Sequence, residues 1–219
     1  MQTGNPRIDS STAELICGSD EAGYGAWAGP LVVVSVCVPR DWVGPKGLTD
    51  SKKLTEARRE DLFEFLMRDP QVQWVAHFIG SSEVDKIGVY RANIGAHLAV
   101  HASLSETGCL HVADGNLDLG PNIVSLPKAD ALVPAVSAAS IIAKVRRDRE
   151  MVGYDRTYPG YDFAGSKGYG VPKHQAGLTT LGPCKIHRMS YAPVAAAVQR
   201  QAVIEQDDAM ALMDGLPQE

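Results

Sequence analysis

The sequence predicts an α/β protein in which one mixed β-sheet is flanked by helices. Two observations lead to this fold class. Short apolar, β-branched runs alternate with longer segments of helical periodicity, and the first strands follow one another while later ones are separated by helical segments. With 219 residues and 45% hydrophobic content, the chain can also bury the core of one domain, or of one domain with a small appendage.

The strands are predicted from runs of apolar and β-branched residues. They cover residues 14–19, 31–38, 72–80, 109–113 and 122–126, of which the last, NIVSL, is short. The first three strands are expected to pair antiparallel, because only a short link joins the first two. The later strands are expected to add in parallel, because a crossover connection is needed between parallel neighbours.

Helices are predicted from apolar stripes and from capping signals. They cover residues 55–68, 90–106 and 131–152, a segment from Pro172 to about Gly182, and a segment after Pro193. In the first of these, Thr55 can cap the N-terminus. The helix at 131–152 opens with small residues that permit close approach to a sheet, and Pro134 requires a start near Leu132 or Val133. Asp130 then precedes the helix, where the dipole favours negative charge.

The two ends of the chain are polar. Residues 1–13 are expected to form a flexible N-terminus, and residues 204–219 an acidic tail. The first residues lack a basic segment followed by an apolar one, so we expect no secretory signal. No segment approaches the roughly 18 uncharged apolar residues of a membrane helix. The four cysteines are distant in sequence and form no CxxC pair, which predicts reduced thiols in a cytoplasmic protein.

The charge distribution is uneven. The net charge is −5, which by itself argues against a nucleic-acid partner. Residues 140–190, however, carry nine Lys and Arg against four Asp and Glu. Such a basic segment is either an electrostatic footprint for phosphates or a solvated helix face, and composition alone favours the second interpretation.

Four acids occur at the ends of predicted elements. Asp20 and Glu21 follow the first strand, Asp114 follows CLHVA, and Asp130 precedes the long helix. Strand ends in an α/β sheet commonly meet at one edge, where clustered carboxylates repel one another unless a cation is present. Oxygen ligands without Cys or His point to Mg²⁺ or Mn²⁺. Acids at loop starts are common, however, and Asp114 followed by Gly115 is also typical of a turn.

Six motifs occur together in a specific order: SDEAGYGAWAGP, LTDSKKL, VADG, PKADALVPAVSAASIIAKVRRDREM, YPGYDFAGSKGYG and IHRMSYAPV. Together they closely resemble the ribonuclease HII family, from about Leu15 to about Val194. The resemblance implies a ribonuclease H-like mixed sheet with a C-terminal helical portion, forming one catalytic domain over residues 14–203. It also implies Mg²⁺- or Mn²⁺-dependent cleavage of RNA in RNA–DNA hybrids and at single ribonucleotides embedded in DNA, by a chain that we expect to be monomeric.

The resemblance also implies roles for individual residues. The family's metal ligands and catalytic acids fall on Asp20, Glu21, Asp114 and Asp130. The loop that contacts the ribonucleotide falls on Gly23, Tyr24 and Gly25, and the tyrosine at the RNA-to-DNA junction falls on Tyr169. Backbone phosphates are expected near Ser51 and Lys52. Further phosphate contacts, or structural pairs, are expected at Lys144, Arg146, Arg147, His187 and Arg188.

The chain departs from the family pattern in two stretches. Tyr24 stands between the loop glycines, where arginine is usual, and Ala26-Trp27-Ala28 replaces the usual Pro-Leu-Ala. Val171 follows GYG in place of the usual threonine. If the loop reads the 2′-hydroxyl through backbone N–H groups, the glycines suffice; if the arginine side chain holds a phosphate, affinity or junction preference has changed.

Three alternatives remain at this stage. Ribonuclease HIII shares the sheet and the acids but usually has an extra N-terminal domain, for which about fourteen residues before the first strand are too few. A metal-dependent DNA nuclease or resolvase could use the same acids. A non-catalytic nucleic-acid-binding module is the third, and the retained acids argue against it, because clustered negative charge facing phosphates weakens binding.

Overall fold

The computed structural model describes residues 2–104 and 108–214. The chain divides into two compact units. The first comprises the residues up to Tyr24 and Pro30–Glu150, and the second comprises Gly25–Gly29 and the residues from Met151 onward. The C-terminal helical portion, which the sequence analysis assigned to one domain over 14–203, is thus a compact unit of its own.

A five-stranded mixed sheet with the order β3-β2-β1-β4-β5 forms the centre of the first unit, as far as the described residues go. The strands are β1 Leu15–Ala22, β2 Leu31–Pro39, β3 Gln73–Ile79, β4 Cys109–Asp114 and β5 Ile123–Leu126. The pairs β1–β2 and β2–β3 are antiparallel, whereas β1–β4 and β4–β5 are parallel. The predicted fold class and strand directions are confirmed.

The helices follow the predicted positions closely. They are α1 Pro6–Asp9, α2 Glu56–Arg68, α3 Ser81–Ile87, α4 Val89–Ser103, α5 Pro134–Thr157, α6 Phe163–Ser166, α7 Pro172–Leu181 and α8 Ala192–Asp214. Three short helices, α1, α3 and α6, were not predicted. The predicted segment 90–106 ends earlier, at Ser103, and its residues 105–106 lie outside the described residues.

Both ends of the chain contain helix that the sequence analysis did not predict. The stretch 1–13 contains α1, whose Ile8 is fully buried in the main core, so this part is packed into the first unit. At the other end, α8 continues to Asp214, well into the predicted tail. Residues 215–219 of that tail lie outside the described part of the chain.

Helices cover both faces of the sheet because side chains alternate along each strand. On one face, alternate valines of β2 pack with α2 and α5 in the main core. On the other face, α4 packs against β1, β2 and β3. The strand β2 is buried on both sides, which accounts for its continuous run of valines.

The helix α5 lies unusually close to the sheet. A Cβ at Gly18 in β1 would collide with the backbone of Val136, so the small residues at the start of α5 do permit the close approach predicted for them. Pro134 is the first residue of α5, as its missing N–H requires. Asp130 does not cap this helix, because it lies in a separate 3₁₀ turn, Ala129–Ala131.

In the second unit, the short segment Gly25–Gly29 is fixed by backbone hydrogen bonds to distant residues. The Trp27 N–H donates to the Gly168 carbonyl at 2.8 Å, and the Gly29 N–H donates to the Ile186 carbonyl at 2.9 Å. The Arg188 guanidinium donates to the Gly29 carbonyl at 3.1 Å. Five residues between β1 and β2 are therefore part of the C-terminal fold.

Candidate active site

Three of the four predicted acids meet at one edge of the sheet. Oxygen atoms of Asp20, Asp114 and Asp130 lie within 4.8 Å of one another. Asp20 and Glu21 lie inside β1 rather than after it, paired with Val34 and Val33 of β2, which corrects the predicted strand end. Asp20 is buried on the α5 face, and the side chain of Glu21, on the opposite face, is partly exposed.

A hydrogen bond joins two of these acids through the backbone. Asp114 is the last residue of β4, and its carboxylate accepts a hydrogen bond from the Ala129 N–H at 2.7 Å. Ala129 begins the 3₁₀ turn that carries Asp130, and the Ser137 hydroxyl donates to the Asp130 carbonyl at 2.6 Å. The turn is therefore fixed from both sides, which holds the Asp130 side chain beside Asp114.

The electrostatics of this cluster favour a bound cation. Burial, and then the charges of Glu21 and Asp114, raise the pKa of Asp20 well above its usual value. Burial and Glu21 raise the pKa of Asp114. Burial and Asp114 raise the pKa of Asp130 to about 6. Oxygen-only ligands whose charges repel one another fit a hard divalent cation, so these residues could hold Mg²⁺ or Mn²⁺.

These shifts make the metal-free protein less stable as pH rises. A carboxyl whose folded pKa is raised stabilises the fold below its unfolded pKa of about 3.9, and this contribution is lost as pH rises through about 6 for Asp130. We expect Asp130→Asn to raise the Tm in EDTA by a few degrees at pH 8 and to leave it unchanged at pH 3.5. Thermal unfolding by circular dichroism measures this. The exposed Asp41→Asn is the control, and an equal gain at both pH values would contradict the prediction.

Lys52 places a positive charge beside the same acids. Burial alone would lower its pKa, but the carboxylates of Asp20, Asp50 and Asp130 outweigh that effect and the Lys52 pKa is raised. Asp50 was not predicted as part of the site; its carboxylate also accepts a hydrogen bond from the Lys52 N–H at 2.9 Å. Lys52 is thus an exposed cation at the edge of the acid cluster.

Ser51, the neighbour of Lys52, has a different role from the one expected for it. Ser51 is 3% exposed, and its hydroxyl oxygen lies 2.9 Å from the Ser140 hydroxyl oxygen, within hydrogen-bonding distance. The Ser140 hydroxyl also hydrogen-bonds to Asp20, which lowers the Asp20 pKa and opposes the effect of burial. These contacts favour a supporting role for the Ser51 side chain behind Asp20 over a direct phosphate contact.

A chain of hydrogen bonds runs from Glu21 along the α4 face of the sheet. The His97 Nε2 lies 3.4 Å from the Glu21 carboxylate, and its Nδ1 lies 2.8 Å from the Ser19 hydroxyl. The same hydroxyl lies 2.8 Å from His101 Nε2, and His101 Nδ1 lies 2.9 Å from His111 Nδ1. Burial, followed by the neighbouring His111 and His97, lowers the pKa of His101 to about 3, so this ring is neutral at pH 7.

The sequence analysis missed this chain, although a signal was present. His97 and His101 are four residues apart on a predicted helix and so share one face. The sequence does not show which strand faces these two rings. Ser19 reaches both of them only because α4 packs on β1. His97 thereby orients the Glu21 carboxylate.

We expect His97→Phe to weaken divalent-ion binding because Glu21 loses its hydrogen bond. The Mg²⁺ concentration for half-maximal activity should rise roughly 10–100-fold, as for other outer-shell partners of metal ligands, with a smaller effect at saturating Mg²⁺. His77→Phe on β3, at an exposed position, is the matched control. His97→Gln, which keeps a hydrogen-bond donor, should recover part of the loss. An unchanged Mg²⁺ requirement in His97→Phe would show that Glu21 needs no such support.

The glycines beside the acids have two distinct environments. Gly23 has a φ of +91°, and a Cβ there would collide with the Arg147 guanidinium, so this glycine makes room for a side chain of the protein itself. Arg147 is fully buried and donates to the Pro30 carbonyl at 2.8 Å. A Cβ at Gly25 would meet no atom within 4 Å, which leaves the backbone there open. Of the two roles left open for Arg147, these contacts favour the structural one.

The other basic residues also have partners within their own units. Lys144 forms a 2.8 Å ion pair with Asp148, and Arg146 lies over the rings of Trp74 and Phe78. In the second unit, Arg188 is fully buried, with His187 1% exposed beside it. The burial of Arg188 favours a structural role over the phosphate contact predicted for it. Tyr24 and Tyr169, by contrast, are 37% and 36% exposed.

The fold and the acids together define a class of protein: an α/β protein with a mixed sheet whose clustered carboxylates could hold a divalent cation. The sequence model of one family, described as ribonuclease HII, matches residues 17–194. Ribonuclease HII of Rhodococcus opacus (strain B4) is 45% identical over 188 residues, covering 84% of this chain and 83% of that protein. Ribonuclease HII of Thermus thermophilus is 44% identical over 187 residues, covering 85% of this chain and 90% of that protein.

Solved structures agree with these relatives. The ribonuclease H2 of Pyrococcus horikoshii OT3 superposes with a TM-score of 0.69 at 25% identity, covering 85% of this chain and 98% of that one. The ribonuclease HII of Archaeoglobus fulgidus, solved in complex with PCNA, superposes with a TM-score of 0.70 at 26% identity, covering 81% of this chain and 95% of that one. The chain belongs to the ribonuclease HII family. It is an RNA–DNA hybrid endoribonuclease, and the ribonuclease HIII alternative is set aside.

Proposed function

We propose that this enzyme hydrolyses the RNA strand of RNA–DNA hybrids and also cleaves at ribonucleotides embedded in duplex DNA, by two-metal-ion hydrolysis. The observation that carries the proposal is the meeting of Asp20, Asp114 and Asp130 within 4.8 Å, in a chain of this family. Such activity would serve ribonucleotide excision, a form of DNA repair. The four cysteines form no disulfide, which is consistent with a cytoplasmic enzyme.

The acids would supply the ligands of the metal ions, with Glu21 oriented by His97. When bound, divalent ions activate water and stabilise the charge that develops on a phosphodiester. In the reaction, the water oxygen bonds to phosphorus, the bond from phosphorus to the 3′ oxygen breaks, and that oxygen takes up a proton. The products carry a 5′-phosphate and a 3′-hydroxyl. Lys52, close to the acids, would attract the phosphate.

Recognition of RNA would depend on the loop Gly23-Tyr24-Gly25 and on Tyr169. The open backbone at Gly25 supports close approach to the sugar that carries the 2′-hydroxyl. The exposed ring of Tyr169 is available to stack on the deoxyribose that follows a ribonucleotide. Lys144 and Arg146 would add charge toward the duplex backbone, which positions the substrate without reading its sequence.

Cleavage of labelled duplexes tests the proposal. The substrates carry one embedded ribonucleotide, a block of four ribonucleotides, a full RNA strand or no ribonucleotide at all, each with Mg²⁺ and with Mn²⁺. We expect cleavage of the first three, with products bearing 5′-phosphate ends. Cleavage of the all-DNA duplex at a similar rate would support the DNA-nuclease alternative. If the full hybrid is cleaved but the duplex with one embedded ribonucleotide stays intact, the proposed cleavage at embedded ribonucleotides is overturned.

The proposed partners are RNA–DNA hybrids and ribonucleotide-containing duplex DNA, bound by a monomeric enzyme. A complex with PCNA is recorded for the Archaeoglobus fulgidus relative. No described helix has the length and apolar character needed to cross a membrane.

The tyrosine in the recognition loop gives a further prediction. Tyrosine cannot make the bidentate phosphate contact of arginine, so we expect Tyr24→Arg to keep turnover and to lower KM for the single-ribonucleotide duplex. The gain should be larger at low salt, because phosphate contacts weaken as salt rises. Measuring KM at two salt concentrations, with Tyr90→Arg as the exposed control, checks it. A large loss of kcat in Tyr24→Arg would show that the tyrosine has a role of its own.

A further inference from the structure

Three of the four cysteines, distant in sequence, come together in the first unit. The Sγ atoms of Cys17, Cys37 and Cys109 lie within 4.8 Å of one another. Cys17 and Cys37 are directly paired across β1 and β2, and Cys109 lies on β4, the other neighbour of β1. The sheet therefore sets three thiols side by side on adjacent strands.

The cluster lies on the α4 face of the sheet, away from the carboxylates of Asp20, Asp114 and Asp130. The Cys17 thiol donates to the Leu104 carbonyl just beyond α4, at 3.5 Å. Along β1, the side chain of Asp20 projects to the opposite face, toward α5. The thiols are therefore separate from the cluster of Asp20, Asp114 and Asp130, and the reaction proposed above does not use them.

A path from solvent reaches the cluster. Cys17 and Cys37 are buried, but Cys109 is only half-buried. Cys109 lines a cavity of about 460 Å³, together with His101 and His111. An ion could enter through this cavity and meet Cys109 first.

We propose that Cys17, Cys37 and Cys109 form a site for one thiophilic cation of the Zn²⁺ class. Zn–S bonds of about 2.3 Å place the sulfurs of a tetrahedral site roughly 3.8 Å apart, so spacings of up to 4.8 Å need only a small closure. Soft thiolate ligands select Zn²⁺ or Cu⁺ over Mg²⁺. The fourth ligand of the tetrahedral site would be a water or another small molecule.

Binding converts thiols to thiolates, with the protons released to solvent. Without the ion, the pKa of Cys17 is raised because its thiol hydrogen-bonds to Cys37 and is buried near Cys109. The Cys17 thiol is therefore neutral at pH 7. A cation of charge +2 compensates the charge of the thiolates, and a coordinated thiol loses its proton even where its free pKa is high.

Titration with Cd²⁺ tests the site, because thiolate-to-Cd²⁺ charge transfer absorbs in the ultraviolet whereas carboxylate ligands give no such band. The protein is kept reduced with a phosphine, and excess Mg²⁺ occupies the carboxylates. We expect a band that saturates at one equivalent and is displaced by Zn²⁺. Zn²⁺ should also raise the Tm under these conditions.

Variants identify the ligands. Cys109→Ala, at a half-buried position, should bind Cd²⁺ at least about 100-fold more weakly, since losing even an outer-shell partner costs 10–100-fold. Cys17→Ala should do the same, and Cys184→Ala in the second unit should bind as the unchanged protein does. Hydrolysis by each variant verifies that it folds. Absence of the band, or an equal band in Cys109→Ala, would overturn the proposal.

Discussion

Asp20→Asn is expected to reduce hydrolysis of an RNA–DNA hybrid by about 10³-fold or more, because it removes a ligand charge from the centre of the acid cluster. Asparagine has nearly the same shape, and its carbonyl can still accept the hydrogen bond from the Glu21 N–H, so the fold should persist. Single-turnover rates at saturating Mg²⁺ measure the loss. Circular dichroism on the same samples verifies the fold.

The control for this prediction is Asp41→Asn, which removes one negative charge at an exposed position in the same unit. Its rate should equal that of the unchanged enzyme. Asp114→Asn should behave as Asp20→Asn does, since the carboxylates of Asp114 and Asp20 belong to one cluster. The double variant should lose little more activity than either single variant. Turnover near normal in Asp20→Asn would refute the assignment of the metal site.

Tyr169→Ala is expected to reduce cleavage at a single embedded ribonucleotide by roughly 5–150-fold, the equivalent of about 1–3 kcal/mol of stacking. Cleavage inside a long RNA strand should fall much less, because a ring stacked on a deoxyribose contributes only at an RNA-to-DNA junction. The ratio of kcat/KM for the two substrates measures the effect. This ratio is insensitive to a general loss of folded enzyme.

Two variants act as controls for the tyrosine. Tyr169→Phe keeps the ring and should retain the junction preference. Tyr90→Ala removes an exposed ring of similar accessibility, 52%, from the first unit and should change neither substrate. Equal losses on both substrates in Tyr169→Ala would mean that the ring supports the fold rather than the junction.

The sequence predicted those features that depend on neighbouring residues. Periodicity located the strands and the long helices, because burial of one face acts on residues two or three to four positions apart. The motif order led to the prediction of four acids, of which the structure brings Asp20, Asp114 and Asp130 together. Thr55 caps α2 as predicted, since a cap involves only the next three residues.

Features that depend on strand register could not be predicted. Whether Cys17 faces Cys37 depends on the pairing of β1 with β2, and a shift of one residue would turn every side chain to the other face. The roles of Arg147 and Ser51 likewise depend on packing: each polar group found a buried partner distant in sequence. A basic or hydroxyl residue in a motif suggests a contact with a ligand. Only the burial of its side chain in the structure shows that its role is structural instead.

The five residues Gly25–Gly29 have a consequence for how the protein is made. They lie between β1 and β2, yet their hydrogen-bond partners Gly168, Ile186 and Arg188 are about 140–160 positions later in the chain. During synthesis, the loop cannot reach its final conformation until the chain as far as Arg188 has left the ribosome. Closing so long a segment carries an entropy cost before any contact compensates it. A fragment that stops at the end of the sheet would therefore leave this loop without its partners, and neither unit can be excised as one continuous piece of chain.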